Sequence, residues 1–177
     1  MPEIGELSAD FIAAQAGGFE AQRQNNFVLT VVPPGEGEQV LRLSMVSIPL
    51  PKEASNVIEL PFGNEVRKVA GRTTFANINA TFHDYVDQET LQILVNWRKN
   101  VYDPDTGNVG LASSYKRMAT ITMMGPETSF KRNYLVQGVW PSELDPGDLS
   151  YENAEKKLIT VVFTFDKIKE VGAVASS

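Results

Sequence analysis

The sequence contains no cysteine and a single histidine, His83. Disulfides, thiolate metal sites and cysteine nucleophiles are thereby excluded, and one imidazole does not make an ordinary zinc site. No metal or other cofactor is expected, and stability has to come from packing or assembly. Long apolar runs are also missing: nothing approaches the roughly 20 residues that span a bilayer. The opening MPEIGELSAD is acidic where a signal peptide is basic and then apolar. The expectation is a chain made and kept in a cytoplasm, with no membrane embedding. No glycine-rich phosphate loop is present. Basic residues are in the minority, 16 against 22 acidic, for a net charge of −6. Phosphate binding needs clustered Lys and Arg, so this balance argues against a protein that grips nucleic acid, while suiting a surface past which DNA slides.

What remains reads as one ordinary domain: 177 residues, 42% hydrophobic and 21% charged. Residues 8–19, with Phe11 and Ile12 beside Gly17-Gly18, suggest a short helix or arm. The pattern then turns to β. Residues 27–32 and 40–45 flank a Pro-Pro-Gly-Glu-Gly turn and predict a hairpin. Residues 47–71 carry Pro49, Pro51, Pro61 and Gly63, which predicts a long, loosely structured excursion that is no central strand. Its second half, residues 64–69, is strand-like and can pair with the first to make a projecting β arm.

Over residues 74–82, Phe75, Asn77, Asn79 and Thr81 alternate with Ala76, Ile78, Ala80 and Phe82, the period of a half-buried strand. A helix follows, with Asp87 as N-cap and Leu91, Leu94, Val95 and the Arg98 stem facing inward. Residues 117–124 and 130–138 predict a second hairpin ended by Trp140-Pro141. Residues 158–165 predict the last strand, with Ile159, Val161, Phe163 and Phe165 on one side. Six or seven strands with one helix imply a mainly β fold: a two-sheet antiparallel sandwich or partly closed barrel, one packed helix and a long projecting loop. The expected division is an N-terminal arm over residues 1–25, a β domain over 26–166 and a C-terminal tail over 167–177.

Candidate chemistry is sparse. His83 beside Asp84 suggests a general base and its orienting carboxylate, but neighbours on a strand point to opposite faces, which disfavours catalysis. Asp103-Pro104-Asp105-Thr106-Gly107 has the opening of a calcium loop, yet its glycine is one place early and Ser114 stands where the bidentate glutamate belongs, so a turn is expected. Glu143, Asp145, Asp148, Glu152 and Glu155 form an acidic run that suits a solvated loop better than a channel wall. Asn77, Asn79 and Thr81 face either a water-filled lumen or bulk water.

The landmarks, in order, resemble the tail tube proteins of contractile-tailed phages, relatives of the inner tubes of contractile injection systems. Asn26-Phe27-Val28-Leu29 resembles the family's opening strand, and Ile48-Pro49-Leu50-Pro51 falls where its long loop begins. Val66-Arg67-Lys68-Val69-Ala70-Gly71 with Arg72-Thr73-Thr74-Phe75 is similar to its basic strand running into a glycine, an arginine and an aromatic. Gly138-Val139-Trp140-Pro141 resembles its Gly-x-Trp-Pro corner.

The resemblance implies a non-enzymatic subunit whose sheets join edge to edge in a hexameric β-barrel ring. Rings would stack into a hollow conduit for DNA inside a contractile sheath, in a virion tail assembled in the host cytoplasm. Implied partners are further copies, the tail sheath, a tape-measure protein, a baseplate tube initiator, a tail terminator and transiently passing DNA. Ile48, Pro49, Leu50, Pro51, Phe62, Arg67, Lys68 and Arg72 become the expected interface, and Asn77, Asn79 and Thr81 candidates for the lumen. For Arg67, Lys68 and Arg72 a solvated strand edge is the competing reading. Rival functions are an injection-particle inner tube, a baseplate tube initiator and a monomeric small-ligand-binding β-barrel.

Overall fold

In the computed structural model, which describes residues 24–125, 131–152 and 155–171, alternating buried and exposed side chains build two facing antiparallel sheets. The elements run β1 (Phe27–Val31), α1 (Glu38–Ser44), β2 (Met45–Ser47), β3 (Glu53–Phe62), β4 (Glu65–Phe75), β5 (Ile78–His83), α2 (Thr90–Val101), α3 (Ala112–Tyr115), β6 (Arg117–Met124), β7 (Lys131–Asp145), β8 (Leu158–Thr164) and β9 (Lys167–Val171). The helix expected over residues 8–19 and the tail beyond residue 171 lie outside the described residues.

One sheet contains β1, β6, the first part of β7, and β9; the other contains the last part of β7, β8, β5 and β2. Leu29, Val31, Ala119, Ile121 and Val136 of the first face Ile78 and Phe163 of the second across a void of only about 10 Å³. That is room for at most about one water. Ala80, Phe82, Ile159 and Val161 continue the floor, and Leu41, Leu94 and Trp97 close the core from the helices. Trp97 stacks on Phe163 at 5.7 Å and donates its indole N–H to the Tyr115 carbonyl at 2.8 Å. The expected sandwich with a packed helix is therefore present.

The two sheets are one curled surface because β7 belongs to both. Asn133–Gln137 hydrogen-bonds β6 on one side and β9 on the other, whereas beyond Val139 the strand pairs only with β8. Gly138, at φ +71°, makes the change of direction, and its missing Cβ is where the Asp166 carboxylate sits. Asp166 is held there by Lys116 Nζ at 2.7 Å and by its own N–H to the Gln137 carbonyl at 3.0 Å. The chain turns the same corner a second time between β8 and β9.

Several sequence expectations fail for identifiable reasons. Residues 40–45 do not form a strand paired with β1; they belong largely to α1, and β1 pairs with β6. Glu38 to Leu43 are ordinary helix formers once Gly37, at φ +127°, ends the loop, and Leu41 and Ser44, three apart, are both buried. Trp140-Pro141 does not end β7, because Pro141 sits at a register shift where the strand has lost its second neighbour, so a missing N–H costs little. Residues 158–165 are not the last strand, since β9 follows.

Asp87 does not cap the helix. The Glu89 N–H bonds to the Tyr85 carbonyl in a turn, Glu89 takes a left-handed φ of 49°, and α2 starts at Thr90. Its buried stripe is Thr90, Leu94, Trp97 and Val101, with Leu91 half-buried and packed against the core.

Candidate assembly interface

The excursion after β2 is regular rather than loose. β3 and β4 pair from Glu53↔Phe75 to Phe62↔Glu65, leaving the two-residue turn Gly63-Asn64 with Gly63 at φ +63°. At about 3.3 Å per residue the ten residues of β3 reach roughly 33 Å. The register slips once, where Gly71 and Arg72 together oppose Asn56; this bulge separates a root from the distal arm. The root is tied down. Ala76 N–H bonds to the Lys52 carbonyl at 2.9 Å, the Ser55 and Thr73 hydroxyls meet at 2.8 Å, and Phe75 stacks on Phe165 at 5.6 Å.

Among the described residues the distal arm packs chiefly on itself. Every residue of β3 and β4 is exposed except Gly71 and Phe75. Apolar side chains stand in water on both sides: Val57 is 63% exposed, Phe62 59%, Val66 58% and Leu60 48%. The arm's internal contacts are local. Arg67 lies 4.1 Å from the Phe62 ring centroid, and Lys68 pairs with Glu59 at 3.6 Å with both side chains mostly exposed, a contact worth little by itself.

Of the expected interface residues, the structure places Phe62, Arg67, Lys68 and Arg72 on this arm. Ile48, Pro49, Leu50 and Pro51 form the link that leads into it. Those four line an open groove of about 980 Å³ together with Leu43 and Val46; Arg42 and Lys52 are the only charged residues on its walls among those described. The exposed Val57, Ile58, Leu60, Val66 and Val69 were not singled out by the sequence reading. The two-residue Gly-Asn turn between two apolar-rich runs was the signal that would have found them.

The other candidates resolve simply. Ile78, Ala80 and Phe82 point into the core, so Asn79 and Thr81 lie on the outer face of β5; they pair with Val162 and Thr160 of β8. Asn77, just before β5, is within 3.3 Å of the Thr164 hydroxyl. His83 stacks on Tyr85 at 5.9 Å, whereas Asp84 pairs with Lys157 at 3.0 Å, so the two do not form a catalytic couple.

Asp103 accepts the Asp105 N–H and the Thr106 hydroxyl, the expected turn, and these bonds hold its carboxyl below the usual carboxylate range. Glu143, Asp145, Asp148, Glu152 and Glu155 are all exposed. Among the described residues no group of three or more potential ligands is placed to hold a metal, and no helix is long and apolar enough to cross a membrane.

Neither a protein-family model nor a curated protein sequence matches the chain. Solved structures do. A chain of the anti-feeding prophage tube-terminating cap superposes with a TM-score of 0.68 at 14% identity, covering 87% of this chain and 93% of that one. A chain of the PVC extracellular contractile injection system, from its sheath/tube terminator in the extended state, gives 0.66 at 13% identity over 86% and 98%. One from the sheath-tube complex of the same system gives 0.67 at 14% identity over 90% and 97%. The chain shares its fold with these chains of contractile injection systems. Among the described residues the β3–β4 arm is the longest run of strand with exposed apolar side chains, while the facing sheets bury Leu29, Ile121, Phe82 and Val161 between them.

Proposed function

We propose that the protein is a structural subunit of a phage tail tube, acting through self-assembly without catalysis. In this reading hexameric rings stack into a hollow conduit for DNA inside a contractile sheath. The observation that carries it is the β3–β4 arm, a long hairpin with exposed apolar residues on both faces among the described residues. Isolated two-stranded hairpins are at best marginal in water, and such a surface is normally covered.

Magnitudes favour a repeated contact. Fully burying a Val, Leu, Ile or Phe side chain stabilises by about 1.5–3 kcal/mol. Covering the roughly half-exposed Val57, Ile58, Leu60, Phe62, Val66 and Val69 then contributes on the order of 5–9 kcal/mol per arm. Association costs about 4–15 kcal/mol. One such contact is marginal; a closed ring that repeats it, and rings that stack, are stable. The outer face of β5 and β8, with Asn79, Thr81 and Thr160 and no charge among them, suits a lumen wall on which DNA does not stick.

Negative-stain microscopy of the purified protein, alone and with a baseplate tube initiator, tests the reading. Hollow rings or tubes are expected, and a monomer at every concentration under both conditions contradicts it. A terminator role is the second reading, favoured by the likeness to chains from a tube cap and a sheath/tube terminator. It predicts single rings that block tube growth and never extend it. Capsid and terminase genes beside the coding sequence would separate a phage tail from an injection particle.

A further inference from the structure

The two sheets are joined at one side only. β7 runs through both, whereas at the other side the strand order ends, among the described residues, in β1 for the first sheet and β2 for the second. The open groove of about 980 Å³ is the seam between these two terminal strands. Phe27 and Met123, directly paired, continue the inward face of the first sheet along one wall; Leu43 of α1, Val46 of β2 and Leu50 of the link form the other. Leu43 is 68% exposed, Leu50 42% and Val46 38%, an apolar surface of the kind that is normally covered. The only charges on the described walls are the cations Arg42 and Lys52, both exposed and neither in an ion pair among the described residues.

The chain enters β1 from within this seam. Gln24 and Asn25 themselves line it, so the residues that precede them start at the groove. The composition of those residues suits it. Asp10 precedes Phe11-Ile12 and Glu20 follows Phe19, so the apolar side chains are flanked by carboxylates, and only small residues and Gln15 lie between. With Glu3 and Glu6, residues 1–23 carry four acids against one base, Arg23. An extended chain gains at most about 3.6 Å per residue, so Phe19 can reach roughly 18 Å from Gln24 and Phe11 roughly 47 Å, enough to lie anywhere along the seam. The space is also of the right size: about 980 Å³ is filled by on the order of eight residues of compactly wound chain, and the run from Phe11 to Phe19 has nine.

We infer that residues 8–20 fold back into this seam of their own subunit. Their phenylalanine and isoleucine side chains lie against Leu43, Val46 and Leu50, and their carboxylates face Arg42 and Lys52. The occupant is the chain's own segment because a short tether holds it at the groove at an effective concentration on the order of millimolar, which a second copy in dilute solution does not match. This goes beyond the tube reading and holds for the free subunit whether or not it assembles. A seam filled in this way is closed to other copies until the segment leaves it.

The absence of cysteine from the chain makes a disulfide scan a clean test. Leu43→Cys in the groove is combined in turn with a single cysteine at each of positions 8–20, and the rate of disulfide formation is followed in dilute monomer. The control series uses Val32→Cys, just past β1 and outside the groove. Both side chains are about half exposed or more, so the variants are expected to fold as wild type does. A contiguous stretch of positions is expected to bond at least fivefold faster with Leu43→Cys than with Val32→Cys, at a rate independent of protein concentration. A ratio below fivefold at every position overturns the inference. Disulfide-linked dimers whose yield rises with concentration, in place of the internal bond, put another copy in the groove and overturn it as well. Arg42→Glu together with Lys52→Glu is expected to lower the ratio at least threefold; a ratio that does not fall overturns the pairing of carboxylates with these cations.

Discussion

Excising residues 54–74 and joining Glu53 to Phe75 through a Gly-Asn turn is expected to give a folded subunit that forms no rings or tubes at any concentration. The cut is structurally clean. Glu53 and Phe75 are directly paired, so two residues suffice to reconnect them, and Phe75 keeps its contact with Phe165. The arm contributes none of the side chains in the buried core cluster. Circular dichroism should therefore show a cooperative melt close to that of the full chain, while sedimentation shows only monomer. Loss of folding would mean that the arm belongs to the domain's own core, contrary to its exposure.

Replacing Trp97 by alanine is expected to have the largest effect on the free subunit. The side chain is fully buried, packs against Phe163 and satisfies the Tyr115 carbonyl. Large aromatic to alanine changes in cores cost about 3–5 kcal/mol, and here a carbonyl also loses its donor. For a domain of this size that corresponds to a fall in Tm of roughly 6–20 °C, measurable by calorimetry. A shift of a degree or two would show that α2 is peripheral to the core. The excision and this substitution separate the two halves of the account: one removes assembly and spares the fold, the other weakens the fold from within.

Much of this was legible in the sequence where a single period dominates. The alternation of Ile78, Ala80 and Phe82, and of Ile159, Val161 and Phe163, fixed both strands of the second sheet, because one face of each is dry. The prolines at 49, 51 and 61 correctly excluded a central strand from the excursion. Where the signal mixes periods, the reading failed. Val40-Leu41-Arg42-Leu43-Ser44 alternates as a strand and also spaces Leu41 and Ser44 as a helix, and only the buried position of Leu41 against the core decides. β9, Lys-Ile-Lys-Glu-Val, is too charged to announce itself; it is held by pairing with β7 across the Gly138 corner. The candidate interface was half visible. Basic residues and prolines drew attention to the arm, but the apolar runs on either side of Gly63-Asn64 were passed over, and the register shows that both of their faces carry exposed apolar side chains.

Amide hydrogen exchange along residues 57–70, compared between free subunit and assembled product, tests the central claim most directly. A lone hairpin opens readily, so these amides should exchange rapidly in the free chain while Phe82 and Val161 are protected; on assembly they should slow by about 100-fold or more. Unchanged, rapid exchange of the arm in assembled material would contradict the account.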